Sequence, residues 1–399
     1  MRILWVKVGG LWPLNSGGRL RSFNILSELA RHHRVTVLTT HVPGEGTNEL
    51  QRQLAHCEQV VSVPFAAPKW RSLRFPLVLL RSWLSPLPVD LWKLRVPALR
   101  REVCALLNSG KIDLCIADFL SAAPNVPLDG PVPVMHFSHN VEYLIWKRLC
   151  KTQSRPWIRF PLEIEWRKMR HYEIQTCRKA SLTVAVSSQD RELLEASAPH
   201  ARIRDVPTGV DVAYFSANGE AETPAELVFT GSMDWYPNED AIRYFIADIL
   251  PIIRRSLPRV TVTIVGRSPT QRLREEADGA GVRMTGRVED VRPYIDAAAV
   301  YIVPLRVGGG TRLKIFEALA MAKAVVSTSI GAEGLPLRDG EHFIQADNPD
   351  AFASAVVSLI QDTKRRRALG TAGRQLMHER FAWPMVAEQF GKWCELACS

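Results

Sequence analysis

The stretch VGGGTRLKIFEALA, Val307–Ala320, runs from three consecutive glycines directly into an apolar segment with helical spacing. Glycine lets a backbone approach a ligand closely, and a helix N-terminus offers unpaired N–H groups at the positive end of its dipole. The combination predicts an anion site, and phosphate is the usual anion. Glu317 falls on the apolar stripe of this helix, where a carboxylate needs partners. Pairing with Lys314, three residues earlier, is the plain alternative to a ligand contact.

Two series of apolar strands alternate with helices along the 399 residues, a length that favours two domains. Continuous Val and Ile runs between helices indicate parallel sheets buried on both faces, so we expect an α/β protein with two doubly wound domains. The expected strands are 2–8, 34–39, 112–117, 132–137 and 181–186, then 226–230, 260–265, 282–285, 299–303 and 323–328. Helices are expected at 239–255 and 270–279, and prolines, glycines and small residues predict a linker at 205–224.

Ligands are expected at the loops that follow the strands, because doubly wound sheets bind ligands outside the carboxyl ends of their strands. Asn15–Gly18 brings two glycines to the start of a helix, although a plain turn is an equal interpretation. His136–Glu142 closes another strand with polar side chains. Within it, His139 is a candidate for bonding a sugar hydroxyl or a phosphate, and a satisfied structural histidine is the alternative.

Several classes of protein are disfavoured by motifs that the sequence lacks. The seven cysteines have no Cys-x-x-Cys spacing, and there is no His-Glu-x-x-His, Walker loop, Gly-x-Ser-x-Gly or Asp-x-Asp motif. The glycines at 17–18 are not a dinucleotide fingerprint either. We therefore expect Arg, Lys and helix dipoles to meet phosphate charge, with no cofactor and no obligatory metal.

The N-terminal stretch Met1–Val8 is broken by Lys7 and reads as a buried strand rather than a signal peptide. No apolar run reaches the ~18 residues of a membrane span. The expected location is the cytoplasm.

The net charge of +10 is concentrated in two segments that also carry tryptophans. Residues 69–101 hold eight lysines and arginines against Asp90 alone, and residues 146–179 hold ten against Glu163, Glu165 and Glu173. Basic residues interleaved with tryptophan suit an anionic membrane surface. They also suit nucleic acid, but no nucleic-acid-binding motif supports that partner. A solvated basic face over core tryptophans is the remaining alternative.

Short motifs occur in a fixed order along nearly the whole chain. They are Pro13–Arg19, Ser138–Glu142, Pro207–Asp211 with Phe215, Leu227–Trp235 with Pro237–Asn238, Ile264–Gly266, Gly286–Asp290, Gly331–Leu335 and Phe381–Trp383. Their order and spacing resemble family four of the retaining, nucleotide-sugar-dependent glycosyltransferases. The resemblance implies the GT-B fold, in which two Rossmann-like domains face each other across a cleft. It places an acceptor-side domain at 1–204, a nucleotide-sugar-binding domain at 225–382, and a helix at 383–399 that crosses back to the first domain.

The central signature of that family is a glutamate, seven residues and a second glutamate. Glu317 matches the second, which in the family binds the ribose hydroxyls of the nucleotide. The first falls on Gly309, so the contact to the transferred sugar differs from that of many relatives. Ser232 and Asn238 stand near positions where many members carry an arginine and a lysine for the diphosphate.

These inferences assign candidate roles to fourteen residues. Arg312 and Lys314 are predicted to clamp the diphosphate, with surface-exposed cations as the alternative, and His139 to contact sugar or phosphate; these three form the catalytic set. The predicted donor site comprises Gly17, Gly18, Gly231, Ser232, Gly266, Arg267, Gly309, Gly310, Thr311, Glu317 and Glu333.

The predicted function is that of a retaining, metal-independent glycosyltransferase. It would move a sugar from a nucleotide-diphosphate sugar to a hydroxyl of a lipid-linked, envelope or exopolysaccharide glycan, in peripheral contact with an anionic membrane and without a nucleic-acid partner. The resemblance implies front-face chemistry, in which the leaving diphosphate oxygen helps to deprotonate the acceptor. A nucleotide-sugar epimerase of the same fold and a non-catalytic protein that binds a nucleotide or a partner are the alternatives.

Overall fold

The computed structural model of the chain describes residues 1–14, 16–68, 75–217, 222–307 and 313–399, with the backbone alone for 75–77. The chain forms two compact units. The first comprises Met1–Pro207 together with Val386–Ser399, and the second comprises Thr208–Met385. The boundary at Pro207 lies inside the predicted linker.

A seven-stranded parallel sheet forms the centre of the first unit. Its strands are β1 (Arg2–Lys7), β2 (Arg34–His41), β3 (Gln59–Pro64), β4 (Leu114–Asp118), β5 (Val134–Ser138), β6 (Leu182–Ala185) and β7 (Ile203–Asp205). Their order is β3-β2-β1-β4-β5-β6-β7. The winding direction reverses between β1 and β4, and such switch points are where doubly wound sheets bind ligands.

Helices cover both faces of this sheet. They are α1 (Gly17–Leu29), α2 (Asn48–Gln53), α3 (Phe75–Trp83), α4 (Val89–Trp92), α5 (Pro97–Asn108), α6 (Glu142–Thr152), α7 (Pro156–Lys179) and α8 (Ser188–Ser197). Leu4 belongs to the same apolar cluster as Leu99 of α5. The neighbouring Trp5 lies 5.8 Å, between ring centroids, from Phe390 of the last helix of the chain. Successive residues of β1 therefore meet opposite layers, as expected for a strand buried on both faces.

Two buried carboxylates tie α7 to the starts of two other helices. Glu165 accepts a hydrogen bond from the Val89 amide of α4 at 2.7 Å. Glu173 accepts from the amides of Glu142 and Tyr143 at 2.9 and 3.0 Å. These amides satisfy carboxyl oxygens that would otherwise be buried without a partner, so both contacts stabilise the layer. Burial raises the pKa of Glu173 to about 8.

The second unit contains a six-stranded parallel sheet. Its strands are β8 (Glu226–Thr230), β9 (Thr261–Val265), β10 (Arg283–Gly286), β11 (Val300–Val303), β12 (Ala324–Ser327) and β13 (Ile344–Gln345), in the order β10-β9-β8-β11-β12-β13. The remaining helices are α9 (Tyr236–Tyr244), α10 (Leu250–Ser256), α11 (Gln271–Gly279), α12 (Arg292–Ala297), α13 (Leu313–Ala320), α14 (Pro349–Gln361), α15 (Thr363–Leu376) and α16 (Trp383–Cys398). The switch point of this sheet lies between β8 and β11.

The ten predicted strands are confirmed to within about two residues at their ends. The structure adds β3, β7 and β13, which lie at or next to the sheet edges. The single helix predicted at 239–255 is two helices, α9 and α10, joined by a π-helical turn at Phe245–Ile249. Part of the predicted linker is packed rather than free, because Val210 donates to the Phe381 carbonyl at 2.7 Å within the second unit.

Helix α16 begins in the second unit and, from Val386 onwards, belongs to the first. Phe390 lies 4.8 Å from Phe137, between ring centroids, and Trp393 donates from Nε1 to the Asp205 carbonyl at 3.0 Å. Among the helices within the described ranges, none is both long enough and apolar enough to span a bilayer.

Candidate functional site

Two glycines bring the loops after β8 and β9 into direct contact. The Gly231 amide donates to the Val265 carbonyl at 2.9 Å. A β-carbon at Gly266 would lie 1.7 Å from the Gly231 carbonyl oxygen, so no other residue fits there without moving the backbone. Gly231 and Gly266, two glycines of the predicted donor site, thus lie together at the carboxyl ends of the strands of the second sheet.

The ammonium of Lys314 lies at the same ends of the strands. Its Nζ donates to Asn238 Oδ1 at 2.8 Å and lies 4.0 Å from the ring centroid of Phe229. Asn238 Nδ2 donates to the Ser232 carbonyl at 2.8 Å. A β-carbon at Gly231 would lie 2.7 Å from Lys314 Nζ. Asn238 therefore holds this cation beside the loop that follows β8.

Arg267 and Ser232 are also brought together. Arg267 Nε donates to Ser232 Oγ at 2.8 Å, and Ser232 Oγ donates to Asp234 Oδ1 at 2.5 Å. Arg267 Nε lies 3.8 Å from Asp234 Oδ2, and both side chains of this ion pair are more than half exposed. The guanidinium is thus available to an anionic ligand at little desolvation cost.

Glu317 lies one turn along α13 from Lys314. Its side chain is half-buried, and burial raises its pKa to about 7, against the opposing charge of Lys314. Glu317 also raises the pKa of the buried Tyr301 on β11, which burial already raises. The Tyr301 hydroxyl bonds Thr230 Oγ1 at the end of β8 at 2.5 Å, which relates the carboxyl group to the switch point between β8 and β11. Hydroxyl donors of a ligand would favour the ionised form of this carboxyl group.

Gly309, Gly310, Thr311 and Arg312 lie outside the described residues, so their predicted contacts with a diphosphate stay predictions. Glu333 is exposed on the loop that follows β12. Within the described ranges its side chain makes no hydrogen bond or ion pair, so its donor role also stays a prediction.

The first unit carries a buried charged network at the carboxyl ends of β1, β4 and β5. Asp118 Oδ2 lies 3.0 Å from Lys7 Nζ and accepts from Trp5 Nε1 at 3.0 Å. Asp118 Oδ1 lies 2.8 Å from His139 Nε2. Burial alone would raise the pKa of Asp118, but Lys7 and His139 hold it well below its usual value. Sequence analysis did not select Lys7 and Asp118 as candidate site residues. Each is a charged residue at the carboxyl end of a buried apolar strand, and that pattern could have identified them.

His139 is enclosed by protein in this network. Its Nδ1 lies 3.1 Å from Arg21 Nη1, and its ring stacks on Phe119 at 3.6 Å between centroids. Burial lowers the pKa of His139 to about 3, although Asp118 opposes the shift. A neutral ring that donates from Nε2 and accepts at Nδ1 satisfies both partners. The geometry favours the structural interpretation, and contact of His139 with sugar or phosphate stays a prediction.

Gly17 and Gly18 open helix α1, whose N-cap Ser16 accepts from the Arg19 amide. A β-carbon at Gly18 would lie 2.5 Å from Phe119 Cζ. Phe119 itself has a φ of 71°, in the left-handed region that a bulky residue rarely adopts. Glycine at 18 therefore has a packing reason, and the strained Phe119 covers the space between α1 and His139.

Two further features bear on what this protein binds. No group of three His, Cys, Asp or Glu side chains in the described part of the chain could hold a metal ion. A cavity of about 1220 Å³ in the first unit lies between α4, α5 and α7 and has a mainly apolar lining with Arg95, Arg100 and Lys179 among its cations. Of the predicted catalytic and donor residues that the structure describes, none lines this cavity.

Comparisons with known proteins agree with the two-unit fold. Residues 16–214 match the model of Glycosyltransferase Family 4, and residues 224–362 match the model of Glycosyl transferases group 1. Phosphatidyl-myo-inositol mannosyltransferase of Mycobacterium tuberculosis is 29% identical over 199 residues, which are 46% of this chain and 52% of the relative. The chain thus spans about half the length of the curated relatives it matches.

Solved structures match over almost the whole chain. Sucrose-phosphate synthase from Thermosynechococcus elongatus has a TM-score of 0.69 at 16% identity and covers 99% of this chain and 98% of its own. Anabaena HepE in complex with UDP has a TM-score of 0.67 at 13% identity and covers 99% and 100%. These likenesses show the GT-B fold, and together with the two family models they show that the chain belongs to the family-four glycosyltransferases.

Proposed function

We propose that this protein transfers a sugar from a nucleoside diphosphate sugar to a hydroxyl acceptor. The observation that carries the proposal is the convergence of Gly231, Ser232, Gly266, Arg267 and Lys314 at the carboxyl edge of the second sheet, with Glu317 one turn along α13. Cations, backbone amides and a carboxylate at a switch point suit a diphosphate and a ribose. The UDP bound to Anabaena HepE supports the same class of ligand.

Each residue has a proposed role in that reaction. Lys314, held by Asn238, and Arg267 neutralise the leaving diphosphate, together with Arg312 and the triglycine backbone. Glu317 accepts hydrogen bonds from the ribose. Stabilising the leaving group is the main protein contribution in such chemistry, because charge develops on the diphosphate as the sugar departs. Gly17 and Gly18 are proposed to contact the donor, and His139 to position helix α1 through Arg21.

Retention of the anomeric configuration and independence from metal are part of the proposal. The diphosphate oxygen would take the acceptor proton on the same face that it leaves, so this chemistry needs no protein base. Charge neutralisation then falls to Lys314, Arg312 and Arg267. We expect that a chelator leaves turnover unchanged and that the product keeps the anomeric configuration of the donor.

The proposed acceptor is a lipid-linked or membrane glycan on the cytoplasmic face of an anionic membrane. The mannosyltransferase of Mycobacterium tuberculosis carries phosphatidyl-myo-inositol in its name, which supports a lipid class of acceptor. The apolar cavity of the first unit, with its cationic residues, supports an acceptor that combines an apolar part with an anionic group.

Release of nucleoside diphosphate from a panel of nucleotide sugars tests the proposal. At least one donor should be hydrolysed slowly without acceptor, and Lys314→Ala should lower that rate by about a hundredfold or more. Lys364→Ala, at an exposed lysine on α15, is the matched control and should keep the wild-type rate. If the protein neither binds nor hydrolyses any of the donors, the proposal is contradicted. If Arg312→Ala/Lys314→Ala keeps the wild-type rate, the phosphate assignment is contradicted.

A further inference from the structure

Helix α6 and the first turns of α7 present large apolar side chains to solvent. We call this the α6–α7 surface, and its apolar members are Ile145, Leu149, Trp157, Ile158 and Phe160. Trp157 is 72% exposed and Phe160 is 69% exposed. Buried aromatic rings contribute most to cores and interfaces, so two neighbouring rings left in solvent indicate a contact that the chain alone does not make.

Exposed cations surround these apolar side chains. Arg148 and Lys151 of α6 and Arg155 and Arg159 next to Trp157 are all exposed. Between Tyr143 and Leu162 the sequence contains no aspartate or glutamate. The α6–α7 surface therefore combines apolar area with a strong excess of positive charge.

Of the three acidic residues that follow on α7, Glu163 lies beside this surface, where its charge acts on Arg159 as well as on Arg167, and the other two are buried. Glu165 and Glu173 are buried and accept from the starts of α4 and α6. Glu163 forms an ion pair with Arg167 at 2.9 Å. The ten-to-three balance of the sequence thus becomes more one-sided at the surface than the composition indicates.

A second exposed apolar group is attached to the same helix. Lys168 of α7 donates from Nζ to the Ser82 carbonyl at 2.7 Å, which fixes the end of α3 against α7. Trp83 and Leu84, which follow, are 46% and 84% exposed. Exposed apolar side chains therefore also lie at the end of α3, beside α7.

We propose that the α6–α7 surface docks on an anionic phospholipid bilayer, with Trp157 and Phe160 inserted at the level of the headgroups. Amphipathic aromatic and aliphatic side chains partition into the interface, while lysines and arginines around them bind anionic headgroups. Among the described residues beside this surface, the partly exposed carboxylate of Glu163 is paired with Arg167, so the net charge favours an anionic bilayer over a basic partner. This inference deepens the proposed lipid-linked acceptor, because docking brings the enzyme to its substrate.

Co-sedimentation of the full chain with vesicles tests the inference. We expect binding to vesicles of phosphatidylcholine with phosphatidylglycerol, little binding to phosphatidylcholine alone, and loss of binding as salt rises. Trp157→Ser/Phe160→Ser should lower partitioning by at least about tenfold, from the lost apolar burial. Arg155→Glu/Arg159→Glu should also lower it at least tenfold, since each surface cation accounts for about fivefold.

Two control variants separate the surface from bulk properties. Lys364→Glu/Arg367→Glu makes the same change in net charge on exposed residues of α15, and Met385→Ser removes an exposed apolar side chain elsewhere. Both should bind vesicles as the wild type does. Unchanged binding by Trp157→Ser/Phe160→Ser, or no binding of the wild type to anionic vesicles, overturns the inference. The inference is also overturned if sedimentation velocity shows that the wild type is a dimer, that it does not bind vesicles, and that Trp157→Ser/Phe160→Ser abolishes the dimer.

Slow hydrolysis of the nucleotide sugar in solution distinguishes this inference from the proposed function. The surface variants should hydrolyse the donor at the wild-type rate, which would support the bilayer contact as a separate property. A wild type that hydrolyses the donor but ignores vesicles would overturn only the docking inference, while one that binds vesicles and hydrolyses no donor would overturn only the proposed transfer.

Discussion

The most informative perturbation is the neutralisation of Glu317 in Glu317→Gln. Burial raises the pKa of this carboxyl to about 7 in the unliganded protein, so it titrates near neutral pH. If it accepts hydrogen bonds from a ribose, the nucleotide binds the ionised form, and binding must first remove the proton from the neutral form. Affinity for the nucleotide should therefore weaken as the pH falls through about 7.

The size of the effect follows from the pKa. About nine-tenths of the carboxyl groups are protonated near pH 6 and about one-tenth near pH 8, so the apparent Kd for UDP should be about tenfold higher at the lower pH. Glu317→Gln keeps the shape and removes the titration. The phosphate of the nucleotide also titrates, but it does so equally in both proteins, so the ratio of their Kd values isolates Glu317.

Isothermal titration calorimetry with UDP at about pH 6 and about pH 8 measures this ratio, and buffers of different ionisation enthalpy count the proton released. Glu275→Gln, at an exposed glutamate on α11, is the control and should follow the wild type. The unfolding free energy gives a second check: a carboxyl whose folded pKa is raised binds its proton more tightly when folded, so it lowers stability as the pH rises towards about 7. If the Kd values of wild type and Glu317→Gln change in parallel with pH, the ribose assignment is refuted; if their unfolding free energies do so, the raised pKa is refuted.

Three further substitutions test the packing of the candidate site by urea unfolding. Gly266→Ala should lower the free energy of unfolding by about 1–3 kcal/mol or more, because its β-carbon would meet a backbone oxygen at 1.7 Å. Gly279→Ala is the control, and because there is open space around Gly279 it should be nearly neutral. Equal effects of the two substitutions would contradict the close approach of the two loops. Gly18→Ala should also destabilise by about 1–3 kcal/mol, and adding Phe119→Ala should remove most of that penalty, so additive effects in the double-mutant cycle would place the strain elsewhere. Asp118→Asn should cost about 3–5 kcal/mol, because it leaves the buried lysine ammonium beside it without a counter-charge; a loss below about 1 kcal/mol would show that the network contributes little.

The strands of both sheets could be predicted from sequence because each is a short, continuous apolar run buried on both faces. The strands that were missed have weak local signals. β3 contains the polar residues Gln59 and Ser62 and ends in Pro64, and β7 and β13 are three and two residues long. Such edge strands exist because a neighbouring strand supplies the hydrogen bonds, and composition alone does not record the neighbour.

The glycine loops and the family could also be predicted from the sequence, since close backbone approach demands a particular residue at a particular spacing. The sequence by itself thus determined the two doubly wound domains and the family, and it predicted which residues form the candidate donor site. Tertiary structure alone decided which side chains meet. His139 and Asp118 are separated by 21 residues, and Lys7 and Asp118 by 111, yet each pair is in contact. It also decided that Glu165 and Glu173 are buried and accept hydrogen bonds within the fold, because only packing determines which charged groups are paired and which remain at the surface.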